Sequence, residues 1–142
     1  MKLTIAVIGN NKELVNKLKD QQTEHNEVIA ATTERSAIKK AKGEYITFVR
    51  AKDDVKPHYT RELINKIEES EFDVCFFGWD FINWHNFKFI GFVADFKPIF
   101  SAIFKRDLLK DVKENIVDEC FERVSVTTNL CKILYSYRGE RG

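Results

Sequence analysis

The chain has 142 residues, which is one domain, and at that length a core forms without help from disulfides or metal. Apolar residues make up 44% and charged residues 32%, a globular composition that excludes disorder. The 23 Lys and Arg against 22 Asp and Glu leave a net charge of +1, so the whole molecule has no electrostatic draw toward nucleic acid or an anionic membrane.

Cys75, Cys120 and Cys131 show no C-x-x-C spacing and are odd in number, so they read as buried, reduced thiols. No apolar run approaches the roughly 20 residues of a membrane-spanning helix. The short run at residues 3–9 is not followed by the small-residue cleavage site of a signal peptide. The expected location is therefore cytoplasmic, with no membrane span, no nucleic-acid partner and a single domain over residues 1–142.

Leu3-Thr-Ile-Ala-Val-Ile-Gly9 is a β-branched apolar run that ends in a turn at Gly9-Asn10-Asn11, as a buried strand does. Asn11 is placed to cap a helix whose apolar stripe is Leu14, Val15 and Leu18. A second strand is expected at residues 27–32 and a short helix on Ala37, Ile38 and Ala41, with Gly43 as its left-handed C-terminal cap. Tyr45-Ile-Thr-Phe-Val49 reads as the third strand, and Pro57 opens a helix carrying Tyr59, Leu63, Ile64 and Ile67 on one face. Residues 73–81 form a fourth strand. Then comes an aromatic-rich stretch, residues 84–104, in which Phe87, Phe89 and Phe92 suggest strand alternation. Leu108-Leu109 and residues 116–126 read as helical, and residues 132–137 as a last strand.

Strand and helix alternating three times predict a mainly parallel α/β sheet with helices on both faces. In such sheets a ligand crevice lies beyond the carboxyl ends of the strands, which points to residues 9–12, 32–36 and 50–56.

The block from Thr33 to Tyr59 resembles the family 2 glycosyltransferases, whose GT-A fold is Rossmann-like. Ala41-Lys-Gly-Glu-Tyr-Ile46 and Pro57-His-Tyr59 match the family's pattern without a gap. Asp73-Val-Cys-Phe-Phe-Gly-Trp-Asp80 looks like its next strand, Ser101-Ala-Ile-Phe-Lys-Arg-Asp-Leu-Leu109 is similar to its K-L-F-R-R-E-L-L segment, and Asp118-Glu-Cys-Phe121 looks like its E-D-x-x-F segment. The resemblance implies a truncated GT-A domain and a nucleotide-diphospho-sugar ligand. It makes Asp118 the position of the catalytic base.

The departures fall on the chemistry. In the family the apolar strand of this block ends in D-x-D, two carboxylates that hold a divalent cation against the donor diphosphate. Here those positions are Arg50 and Lys52, which repel a cation and are suited to bind a diphosphate directly. Asp53 and Asp54 reach the metal position only if the register slips by about two residues. The V-D-D-G-S segment that reads the nucleobase is absent, because residues 29–34 pass straight into the next helix. The expected function is a non-catalytic binding or structural module in a protein assembly, needing no cofactor. The alternative is a metal-independent glycosyltransferase with a nucleotide-sugar donor. The aromatic stretch supplies Trp79, Trp84, Phe87 and Phe89 as a candidate surface for another protein chain or for self-association.

Overall fold

Buried residues alternate between two faces along each inner strand, and this pattern organises the molecule. In the computed structural model, which describes residues 1–82, 99–110 and 123–138, the strands are β1 (Leu3–Ile8), β2 (Asn26–Ala31), β3 (Tyr45–Arg50), β4 (Asp54–Val55), β5 (Val74–Ile82), β6 (Ala102–Lys105) and β7 (Thr127–Arg138). The helices are α1 (Lys12–Asp20), α2 (Glu34–Lys40) and α3 (Tyr59–Glu69). Leu3, Ile5 and Val7 of β1, Tyr45 and Val49 of β3, and Cys75, Phe77 and Trp79 of β5 turn to one face. There they pack under Leu14 and Leu18 of α1 and Tyr59, Leu63 and Ile64 of α3. Ala6, Ile46, Phe48, Val74 and Phe76 turn to the other face, with Ala37 of α2, Phe104 and Leu109. Helices therefore cover both faces, and the near-continuous apolar runs of β1 and β3 are what a strand buried on both sides requires.

The seven strands form one sheet in the order β2-β1-β3-β6-β5-β7-β4. It is mixed, where the strand–helix alternation predicts a mainly parallel one. β1 pairs in parallel with β2 and β3, and β5 with β7. β6 runs antiparallel between β3 and β5, and β4 is antiparallel to β7. The two reversed strands are four and two residues long, too short to carry an alternation signal of their own. β7 begins at Thr127, well before the expected residue 132, and residues 124–126 lead into it without helix. The expected helical residues 116–122 and the ring alternation of Phe87, Phe89 and Phe92 lie outside the described residues.

Local signals explain the helix starts. The Asn11 side chain accepts the Leu14 N–H at 3.1 Å. Thr33 and Ser36 cap one another, each side-chain oxygen taking the other's backbone N–H. The first turn of α3 is capped from outside, by Gln21 Oε1 accepting from the Thr60 N–H and hydroxyl. Two sequence expectations need correction. Gly43 is not a left-handed cap, and α2 closes on Ala41 in extended backbone. Gly43 is required because a Cβ there would lie 2.6 Å from the carbonyl carbon of Leu3 and the nitrogen of Thr4. Cys75 is buried, and burial pushes its thiol up to about 12, but Cys131 is exposed on β7.

Two measurements follow from these contacts. Gly43→Ala forces backbone apart and should lower the stability by about 1–3 kcal/mol in urea unfolding, with the m-value unchanged. The Asp73 carboxylate accepts the backbone N–H groups of Ser125 and Val126, which hold its pKa below the ordinary 3.8. A carboxylate with a lower pKa folded than unfolded adds stability at neutral pH, and this is lost as the pH falls below 3.8. Asp73→Asn should therefore be less stable at pH 7 and show a shallower decline on acidification; an acid limb identical to the unmodified chain's would refute the role.

Candidate functional site

The parallel register brings the carboxyl ends of β1 and β3 side by side, Ile8 opposite Arg50. Gly9 makes the turn out of β1 with φ of +113°, and any Cβ there would meet the Ala51 side chain at 2.7 Å. The Asn11 side chain donates to the Ala51 carbonyl at 2.8 Å, tying the start of α1 to the turn after β3. A cleft of about 310 Å³ opens beside this junction, lined by Asn11, Glu13, Leu14, Lys17, residues 51–54 and Arg138. It lies at two of the three segments expected to carry chemistry. The third, residues 32–36, is occupied instead with capping α2.

Beneath the cleft lies a buried charge cluster centred on Asp53, whose side chain has no exposure. Its Oδ2 accepts from Arg50 Nε at 2.6 Å and from the Tyr135 hydroxyl at 2.6 Å. Its Oδ1 accepts from Arg50 Nη2 at 3.0 Å and from the Arg138 backbone N–H at 2.7 Å. A carboxylate offers about four lone-pair sites, and here all are taken by internal donors. Tyr135 in turn accepts the Arg50 backbone N–H at 2.9 Å, so one hydroxyl bridges the end of β3 to the aspartate. The Arg50 guanidinium lies over the rings of Tyr137 and Phe100, 5.3 and 5.7 Å from their centroids. The hydrogen bond to Asp53 raises the Arg50 pKa further above its ordinary value, and burial, reinforced by the Asp53 charge, pushes the Tyr135 hydroxyl up.

A second cluster stands next to the first. Asp80 at the far end of β5 accepts from Lys56 Nζ at 2.9 Å and from the Ser136 hydroxyl. Lys17 Nζ donates to Asp54 at 2.7 Å and to the Val55 carbonyl at 3.0 Å. The Lys52 carbonyl accepts from Arg138 Nε at 2.9 Å, and Lys52 lines the cleft.

The residues singled out from the sequence are thus partly gathered. Arg50, Lys52, Asp53 and Asp54 meet at one strand end. Trp79 is buried in the core, edge-to-face with Tyr137 at 5.5 Å. Asp118, Trp84, Phe87 and Phe89 lie outside the described residues. Sequence reasoning missed Tyr135, Tyr137 and Arg138. They stand at the carboxyl end of a strand parallel to β5, so the rule that locates crevices in such sheets would have found them had β7 been given its direction.

The donor set does not fit a divalent cation. Asp53 is saturated by internal donors, Asp54 is paired with Lys17, and the cationic Arg50 and Lys52 stand beside them. Among the described residues no group of three or more His, Cys, Asp or Glu converges as a metal site.

No family profile and no curated protein matches the sequence. Solved structures do match. Residues 1–349 of TarS from S. aureus, a family 2 glycosyltransferase, superpose with a TM-score of 0.72 at 17% identity, over 97% of this chain and 60% of that one. The fold is that of a shortened GT-A domain. TarS 1–349 in complex with UDP-GlcNAc matches all of the chain and 60% of its own length, with a TM-score of 0.75 at 18% identity. A197 from STIV matches more distantly, with a TM-score of 0.53 and 9% identity over 97% of this chain and 82% of that one. The GT-A-like chain spans about 60% of the length of the TarS 1–349 structures. Among the described residues no helix is long and apolar enough to cross a membrane.

The network makes a local prediction for this GT-A-like domain. Tyr135→Phe removes a donor to Asp53 and an acceptor for Arg50 at once, and should lower stability by about 1–3 kcal/mol in urea unfolding. A change below about 0.5 kcal/mol, the size of an ordinary surface substitution, would show that water replaces the hydroxyl.

Proposed function

We propose that this domain keeps the GT-A fold as a non-catalytic binding or structural module, without metal-assisted sugar transfer. The observation that carries the reading is the saturation of Asp53. The carboxylate nearest the D-x-D position already neutralises Arg50 and holds Tyr135 and the Arg138 backbone. Releasing it to a cation would take from the half-buried Arg50 guanidinium the carboxylate that it pairs with through two hydrogen bonds. The segment that would read a nucleobase in the resembling family is here a capping turn, Thr33 to Ser36. Two separate parts of a donor site are thus given over to holding the fold together.

One observation favours the second reading, a metal-independent transferase. Lys17, Lys52 and Arg138 all line the cleft, and a structure of similar fold, TarS 1–349, was solved with UDP-GlcNAc. Basic side chains can meet a diphosphate without metal.

Calorimetric titration of the chain with UDP-GlcNAc, with and without Mn²⁺, separates these readings. The module reading predicts no binding heat in either condition. Manganese-independent binding that is lost in Lys52→Glu would transfer the assignment to the second reading. Binding that requires Mn²⁺ and disappears in Asp53→Ala would overturn both.

A further inference from the structure

The outer edge of the sheet points to an interface. Among the described residues β2 is the terminal strand on its side of the sheet and pairs with β1 alone. The His25 carbonyl accepts from Leu3 N–H and the Ala31 carbonyl from Gly9 N–H, so the odd-numbered residues of this strand face β1. In a parallel ladder the intervening residues turn their N–H and C=O groups the other way. Val28 and Ala30 therefore present their backbone donors and acceptors outward, and Ala30 is exposed.

Natural edge strands are guarded by proline, by lysine, by bulges or by charges that point along the edge. β2 has the sequence Asn-Glu-Val-Ile-Ala-Ala, with neither Pro nor Lys, and its register with β1 runs without a break. Its one charge, Glu27, is held away from that role, accepting from the Thr4 hydroxyl at 2.7 Å and from the Lys42 N–H at 2.7 Å.

We propose that β2 pairs antiparallel with β2 of a second copy of this chain, about a two-fold axis through Ile29, to make one continuous sheet. The register is selected by the backbone itself. With Ile29 opposite Ile29, the outward-facing Val28 and Ala30 each fall opposite the other in the second copy, as hydrogen-bonded pairs. Glu27 falls opposite Ala31, so no like charges oppose one another across the seam. The strand is thus self-complementary in shape, charge and hydrogen bonding, which an isologous two-fold contact demands. The small side chains of Ala30 and Ala31 let the two edges approach to strand spacing.

Sedimentation of the full chain over a concentration series tests this. The unmodified chain is expected to form a dimer, and Ala30→Pro, which removes an outward N–H and no bond to β1, is expected to be monomeric with an unchanged far-UV circular dichroism spectrum. Ala30→Lys, which places a charge on the edge and keeps the backbone N–H, should give the same result should the proline variant fold poorly. Hydrogen exchange supplies an independent readout: the Val28 and Ala30 amides should be protected in concentrated solution and exchange freely on dilution. A chain that stays monomeric at every concentration, or a dimer that survives both substitutions, would overturn the proposal.

Discussion

The Asp53 carboxylate is the constraint around which the carboxyl end of the sheet is built. Burying an ionised carboxylate costs several kcal/mol unless its acceptors are filled, and filling them takes donors from β3 and β7. Arg50 must end β3 with its guanidinium turned to Asp53, three residues on. Tyr135 must arrive on β7 with its hydroxyl between the two, and the Arg138 backbone must close the remaining oxygen. The two-residue strand β4 then follows, because holding Asp53 against β7 lays Asp54 and Val55 alongside Ser136 and Tyr135. Gly9 and Asn11 complete the arrangement by pressing the end of β1 onto Ala51.

The same geometry governs the chemistry available there. A strand end that holds a cation needs acidic oxygens with vacant lone pairs; this one holds an internal salt bridge roofed by Phe100 and Tyr137. The cleft above is lined by both signs of charge, Glu13 and Asp54 against Lys17, Lys52 and Arg138. Such a lining suits weak polar contacts better than the concentrated positive field a diphosphate selects. The fold matches that of the TarS structures, and the end of β3 is tied to β7 through Asp53.

Much of the fold could be read from residues alone. β1 and β3 announced themselves as β-branched apolar runs, and Asn11 marked a helix start by a chemistry that acts within three residues. What could not be read was non-local. β6 is four residues of Ala-Ile-Phe-Lys wedged antiparallel between β3 and β5, and its place depends on partners more than 25 residues away in sequence. Gly43 looked like a cap because glycine commonly ends helices, whereas its need comes from the backbone of Leu3 and Thr4 pressed against it. Arg50 and Lys52 were visible as cations at the end of an apolar strand. That Asp53 would neutralise Arg50 required Tyr135 and Arg138, more than 80 residues on.

A double-mutant cycle on the Arg50–Asp53 pair tests the central claim most directly. Arg50→Met, Asp53→Asn and the double variant would be compared with the unmodified chain by urea unfolding. If the salt bridge organises this strand end, the two substitutions should be coupled by about 2 kcal/mol or more, the double variant being far less damaged than the sum of the singles. Effects that add to within about 0.5 kcal/mol would mean that Arg50 and Asp53 act independently and that the strand end is held by other contacts.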